Sequence, residues 1–176
     1  YVPRTSLVDD VVMLTMSADN LAAPHALFGM GGSGKTVLAS AVVSDDRIRN
    51  YFRRGVFWIK VGLDCNLVDL LERLAAEMVV DLAGAIEFDG KDNGIQRLTS
   101  WIRRDPQPRL VVLDDVWESD IVNALRHTGL TLLVTTRIRD VVIEEGRCTE
   151  VGVLTNEEAR DLLLKQSGAV NVPEAE

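Results

Sequence analysis

Histidine and cysteine are scarce in this chain, with two of each in 176 residues. Cys65 and Cys148 have neither metal-ligand nor disulfide spacing, so they read as small buried apolar residues in a reducing, cytoplasmic setting. His25 and His127 lack the serine, cysteine or carboxylate pattern of a triad or metal centre and read as structural. Aromatics make up only 5% of the chain, and Trp58, Trp101 and Trp117 are assigned to the core rather than to a platform for bases. Basic residues are outnumbered, 19 Lys and Arg against 27 Asp and Glu, for a net charge of −8. That balance argues against direct nucleic-acid or anionic-membrane binding, both of which need a basic face. No apolar run reaches the ~18 residues of a membrane span, and no signal peptide, internal repeat or low-complexity segment is visible.

Glycine, in contrast, is concentrated. Residues 29–36 read Gly29-Met30-Gly31-Gly32-Ser33-Gly34-Lys35-Thr36, which fills the pattern G-x-x-x-x-G-K-S/T of a phosphate-binding loop. A polyphosphate offers only acceptors and negative charge. It is best met by backbone N–H groups pointing inward, with the positive end of a helix dipole behind them. Bending a chain that way needs conformations closed to residues with a Cβ, which glycine supplies. Lys35 would bring an ammonium to the β- and γ-phosphates, and the Thr36 hydroxyl would bind Mg²⁺. An ordinary glycine-rich helix cap would explain neither Lys35 nor Thr36.

The composition, 47% hydrophobic and 26% charged, is that of a folded domain able to bury about 70% of its extended surface. The chain starts at Tyr1 rather than Met and stops without an obvious closing element, and reads as a piece of something longer. A helix is expected over 6–19 with Thr5 or Ser6 as N-cap, a strand over 25–29 after Pro24, and a helix from Lys35 fading near Asp45-Asp46. A second strand is predicted at Gly55 to Val61, and an amphipathic helix is marked by Leu67, Leu70, Leu71, Leu74, Met78 and Leu82. Gly84 to Gly94 reads as a connection, 94–104 as a helix stopped by Pro106 and Pro108, and Arg109 to Leu113 as the third strand. A short helix over 120–125, strands at Leu130 to Thr135 and Thr149 to Val153, and a capped helix over Ala159 to Leu164 complete the series. Apolar strands alternating with helices indicate an α/β domain with a parallel sheet covered on both faces.

Two further motifs carry chemistry. The strand Leu110-Val111-Val112-Leu113 runs into Asp114-Asp115-Val116-Trp117. Paired carboxylates make sense at the carboxyl edge of a parallel sheet, where such folds bind ligands. Asp114 would reach Mg²⁺ and Asp115 would orient or deprotonate an attacking water. A solvated strand-end turn is the bland alternative. Leu132-Leu133-Val134-Thr135-Thr136-Arg137 is another apolar strand ending on polar groups. If it lies beside the first strand, Arg137 projects toward a γ-phosphate; otherwise it is a surface arginine opening the next helix.

Together these motifs resemble an NB-ARC domain, the nucleotide-binding module of plant disease-resistance receptors and of the animal apoptosome-forming adaptor. The likeness runs in order from Val2-Pro3-Arg4, through Gly29 to Thr36, Phe57 to Val61, Leu110 to Trp117 and Leu133 to Arg137, to Val153 to Leu162. It implies a three-layer P-loop NTPase fold with a five-stranded parallel sheet in the order 5-1-4-3-2, over residues 1–176 as a fragment. Helical and winged-helix subdomains would lie beyond the C-terminus. The implied nucleotide-binding residues are Val2 and Arg4 at the adenine end, with Gly29, Gly31, Gly32, Ser33, Gly34, Lys35, Thr36, Val37 and Arg137. Thr36 and Asp114 would hold the metal and Asp115 would be catalytic. The implied function is a switch that holds ADP at rest and Mg²⁺ and ATP when active. Hydrolysis would be slow, and the active protein would be a homo-oligomer meeting protein partners through flanking domains. An ATP-hydrolysing motor or transcription regulator on the same core, or a binding module that hydrolyses nothing, are the alternatives.

Overall fold

The computed structural model describes residues 4–17, 23–78, 91–142 and 146–167. At its centre are five parallel strands: β1 His25–Phe28, β2 Val56–Lys60, β3 Leu110–Val116, β4 Thr131–Thr136 and β5 Arg147–Glu150. Their order is β2-β3-β4-β1-β5, which from the other edge is the expected 5-1-4-3-2. Successive strand side chains point to opposite faces, so β1 to β4 each feed two cores. Leu110 and Val112 face α1 Thr5–Met16, α2 Lys35–Ser44 and α3 Asp46–Tyr51, joining Val11, Leu38, Val42, Ile48 and Phe52. Val111 and Leu113 face α4 Leu67–Met78, α5 Lys91–Arg104 and α6 Ser119–Leu125, joining Leu70, Leu74, Leu98, Ile102 and Leu125. Leu110, Val111, Val112 and Leu113 are all fully buried, each contributing about 1.5–3 kcal/mol by removal from water. This accounts for the near-continuous apolar reading of the strand.

Several boundaries differ from expectation for local reasons. The helix after the loop does not simply fade at Asp45. Asp45 adopts an extended conformation, and its carboxylate accepts the Arg47 N–H at 2.8 Å, starting the separate helix α3. Neither Thr5 nor Ser6 caps α1; the N-cap position is Arg4, without a side-chain cap. β3 runs on through both aspartates to Val116, because the Val61 and Gly62 N–H groups donate to the Asp114 and Asp115 carbonyls. α5 starts at Lys91, inside the segment read as a connection, and Leu82 lies outside the described residues. β5 begins two residues early, at Arg147, where it pairs with His25. The capping box ahead of α7 Asn156–Ser167 is present. The Thr155 hydroxyl accepts the Glu158 N–H at 3.2 Å, and the Glu158 carboxylate accepts the Thr155 N–H at 2.8 Å.

Two compositional readings are corrected. Cys148 is exposed because β5 is an edge strand with alternate residues facing out, while Cys65 is half-buried against the core. Trp58 and Trp101 pack against the two cores as expected, but Trp117 lies past the end of β3 and belongs to neither.

His25 is structural, and its environment has a measurable consequence. It is 1% exposed, its Nε2 is 2.8 Å from the Thr149 hydroxyl, and burial, with Arg147 adding to it, lowers its pKa to about 4. A folded pKa below the unfolded value of 6.5 means that the unfolded state takes up the proton first. Stability from this residue is complete above pH 6.5 and declines as pH falls toward 4, by about 3 kcal/mol in all. Denaturant titrations of wild type and His25→Gln should therefore converge over that window. Curves that stay parallel would exclude His25 as the titrating group.

Candidate nucleotide site

The loop from Gly29 to Gly34 joins β1 to α2 at the carboxyl edge of the sheet, beside the ends of β3 and β4. The need for glycine is plainest at two of its positions. A Cβ on Gly29 would lie 2.4 Å from the Val151 carbonyl oxygen, because the Val151 N–H donates to Phe28 and draws the two backbones together. Gly34 opens α2 at φ 94°, in the left-handed region that side chains disfavour. Behind it the α2 N-terminus presents main-chain N–H groups that the helix itself cannot satisfy.

Lys35 Nζ donates to the carbonyls of Gly29 at 3.0 Å and Met30 at 2.8 Å, so the ammonium folds over the loop. Its pKa is lowered, first by partial desolvation and then by the nearby Arg137, against the opposing pull of Asp115 and Asp114. The chain thus brings together residues 35, 114, 115 and 137 from three separate segments. Asp114, 7% exposed, accepts on Oδ1 from the Thr36 hydroxyl at 2.8 Å and from the Thr135 hydroxyl at 2.6 Å. The Asp115 N–H donates to Thr135 Oγ1 at 2.9 Å. Among the described residues Asp115 is the one non-glycine residue at positive φ, 59°. Holding it there costs on the order of 1–3 kcal/mol, and such strain collects at functional sites.

Arg137 leaves the end of β4 with half its side chain exposed. Its Nε is 3.9 Å from Asp115 Oδ1, and its guanidinium carbon lies 5.1 Å from the Trp117 ring centroid. A Cβ on Gly31 would be 3.2 Å from Arg137 Nη1, so the guanidinium also reaches the loop.

Beside the loop is a cavity of about 330 Å³ lined by Arg4, Gly32, Ser33, Gly34, Val37, Leu38, Leu154 and Leu162. Arg4, one of its walls, donates to the Gly152 carbonyl at 2.9 Å and pairs with Glu158 at 3.3 Å. Val2 lies outside the described residues. Two buried polar atoms at this cavity, Ser33 Oγ and Arg4 Nε, have no hydrogen-bond partner among the described residues. Such orphans are rare in folded proteins and fit a polar ligand arriving there.

The donor set also suits Mg²⁺. A hydroxyl and a carboxylate 2.8 Å apart are hard oxygen ligands beside the glycine loop, and Mg²⁺ is commonly held by one or two protein groups plus phosphates and water. No cluster of three or more His, Cys, Asp or Glu side chains able to hold a metal occurs among the described residues.

Sequence reasoning missed Leu38, Leu154 and Leu162 as cavity walls, Thr135 as the bridge between the aspartates, and Trp117 as a neighbour of Arg137. Leu154 and Leu162 belong to a motif already noted, but nothing local indicates that α7 folds back toward the loop.

Fold and site together define a P-loop NTPase fold. A solved structure of Cdc6p from Pyrobaculum aerophilum superposes with a TM-score of 0.67 at 18% identity, covering 96% of this chain and 52% of that one. The chain belongs to the NB-ARC domain family, whose model matches residues 5–172. It is 31% identical over 151 residues to the disease resistance RPP13-like protein 2 of Arabidopsis thaliana, covering 81% of this chain and 16% of that protein. It is 35% identical over 126 residues to apoptotic protease-activating factor 1 of Danio rerio, covering 64% of this chain and 9% of that protein. The chain therefore spans a small part of these relatives. No helix among the described residues is long and apolar enough to cross a membrane.

Proposed function

We propose that this chain is the nucleotide-binding module of a signalling protein, holding ADP at rest and ATP with Mg²⁺ when active. The observation that carries the reading is the bonded chain Thr36–Asp114–Thr135–Asp115 lying against a glycine loop and Lys35. In this proposal the loop N–H groups and Lys35 bind the phosphates, and Thr36 and Asp114 hold the cation. The 330 Å³ cavity with Arg4, Val37, Leu154 and Leu162 takes the base and ribose. Asp115 orients the attacking water, and Arg137 distinguishes the triphosphate from the diphosphate. Mg²⁺ supplies charge neutralisation of the phosphate oxygens when bound.

Membership in a family with disease-resistance and apoptotic relatives supports signalling over metabolism. Oligomerisation on activation, partners reached through flanking domains and a cytoplasmic setting belong to the same proposal. A switch shifts its balance only by the difference between its affinities for its states. Turnover should therefore be very slow without an activator, whereas a motor on the same core would cycle steadily.

Thermal melting with and without Mg-ADP is the direct test. A ligand at 100 to 1,000 times its Kd should stabilise the fold by about 2.7–4.1 kcal/mol. Melting curves left unchanged by millimolar Mg-ADP and by millimolar Mg-ATP would remove the nucleotide from the reading.

A further inference from the structure

Arg137 is half-exposed at the end of a strand, and an exposed arginine has no fixed direction unless something holds it. Two groups do so. Asp115 is a partner at 3.9 Å, a distance at which an ion pair between half-exposed groups is weak. Trp117 lies under the guanidinium, with the cation 5.1 Å from the ring centroid, in range for attraction to the negative face of the indole. Among the described residues Trp117 joins neither hydrophobic core, although it follows immediately on the largely buried β3. Trp117 also lines an open cavity with Glu118, Ser119, Asp120, Ile138 and Asp140. The indole is thus half-buried, and among the described residues its ring contact is Arg137.

The guanidinium sits between this ring and the loop, close enough that a Cβ on Gly31 would be 3.2 Å from Nη1. The register that places it there is the β3–β4 pairing, in which Val116 stands opposite Thr136. Each motif-bearing strand therefore ends with one member of the pair.

We propose that Trp117 is the positioning residue for Arg137 and thereby sets how strongly this site prefers a nucleoside triphosphate over a diphosphate. The inference rests on the nucleotide reading above. The ring face restricts the guanidinium to directions over the loop, so less freedom is lost when a third phosphate arrives. Stacking leaves the in-plane N–H donors available to phosphate oxygens, which a tight carboxylate pair would not. The loss on removing the ring falls on the triphosphate.

The test is equilibrium binding of Mg-ADP and of a non-hydrolysable Mg-ATP analogue. It compares wild type, Trp117→Met (apolar, smaller and without a ring), Trp117→Phe, Arg137→Ala and the Trp117→Met/Arg137→Ala double variant. We expect Trp117→Met to lower the ratio of triphosphate to diphosphate affinity about two- to fivefold. Trp117→Phe should restore most of that ratio, and the ring change should have no further effect once Arg137 is gone. The fluorescence difference between wild type and Trp117→Phe, which isolates Trp117, should respond to the triphosphate analogue more than to ADP. An unchanged ratio in Trp117→Met while Arg137→Ala lowers it, or equal effects of the ring change with and without Arg137, would overturn the inference and leave the nucleotide reading intact. Wild type that binds neither nucleotide would overturn both.

Discussion

Lys35→Ala is expected to abolish measurable nucleotide binding. The ammonium donates to two loop carbonyls, Gly29 at 3.0 Å and Met30 at 2.8 Å, which folds it back over the loop. On binding it would exchange those neutral acceptors for charged phosphate oxygens, and hydrogen bonds to charged groups are worth roughly 1.5–3 kcal/mol each. Losing two of them gives about 3–6 kcal/mol, or roughly 150- to 20,000-fold in Kd. Alanine is a strong helix former, so the first turn of α2 should survive. Titration calorimetry with Mg-ADP and Mg-ATP, alongside circular dichroism to verify the fold, reads the result. A folded variant that binds as tightly as wild type would remove Lys35 from the site, and with it the reason for assigning the loop to phosphate.

Asp115→Asn is expected to keep nucleotide binding within a few-fold while lowering hydrolysis by about 10²–10⁴, the usual contribution of a positioned base. Asparagine is the informative replacement because the residue sits at φ 59°. Asparagine tolerates that region nearly as well as aspartate, whereas alanine would add strain to the change of charge. The backbone contacts that hold this conformation, the Asp115 N–H to Thr135 Oγ1 and the Gly62 N–H to the Asp115 carbonyl, do not depend on the carboxylate. Asp114 makes a useful contrast: its carboxylate accepts two hydroxyl hydrogens in a buried setting, so the same replacement there would disturb structure as well as chemistry. Single-turnover conversion of bound ATP to ADP measures the effect without depending on slow release. A rate equal to wild type would refute the assignment of Asp115 as base and would leave its strained backbone without a catalytic explanation.

Much of the fold was legible because its signals are local and periodic. The apolar strands, the amphipathic α4, the proline stop after α5 and the capping box before α7 each depend on residues within a few positions of one another. The start of α3 escaped notice because Asp45 ends one helix and caps the next, and composition does not distinguish those roles. The edge of β5 was displaced because its register is set by pairing with β1, a partner more than a hundred residues away. Cys148 and Trp117 were assigned by residue type, and type does not reveal whether a position lies on an edge strand or just past a strand end.

The site divides the same way. The order of residues alone determined the glycine loop with Lys35 and Thr36, the paired aspartates and the terminal arginine, because each is a chemical requirement written in adjacent positions. Only the tertiary structure decided that they meet. Parallel pairing of β4 between β1 and β3 brings the ends of three distant segments to one edge, and the fold-back of α7 closes a cavity with Leu154 and Leu162. Those contacts join residues far apart in the chain, and strand order and packing, rather than any local preference, determine which of them touch.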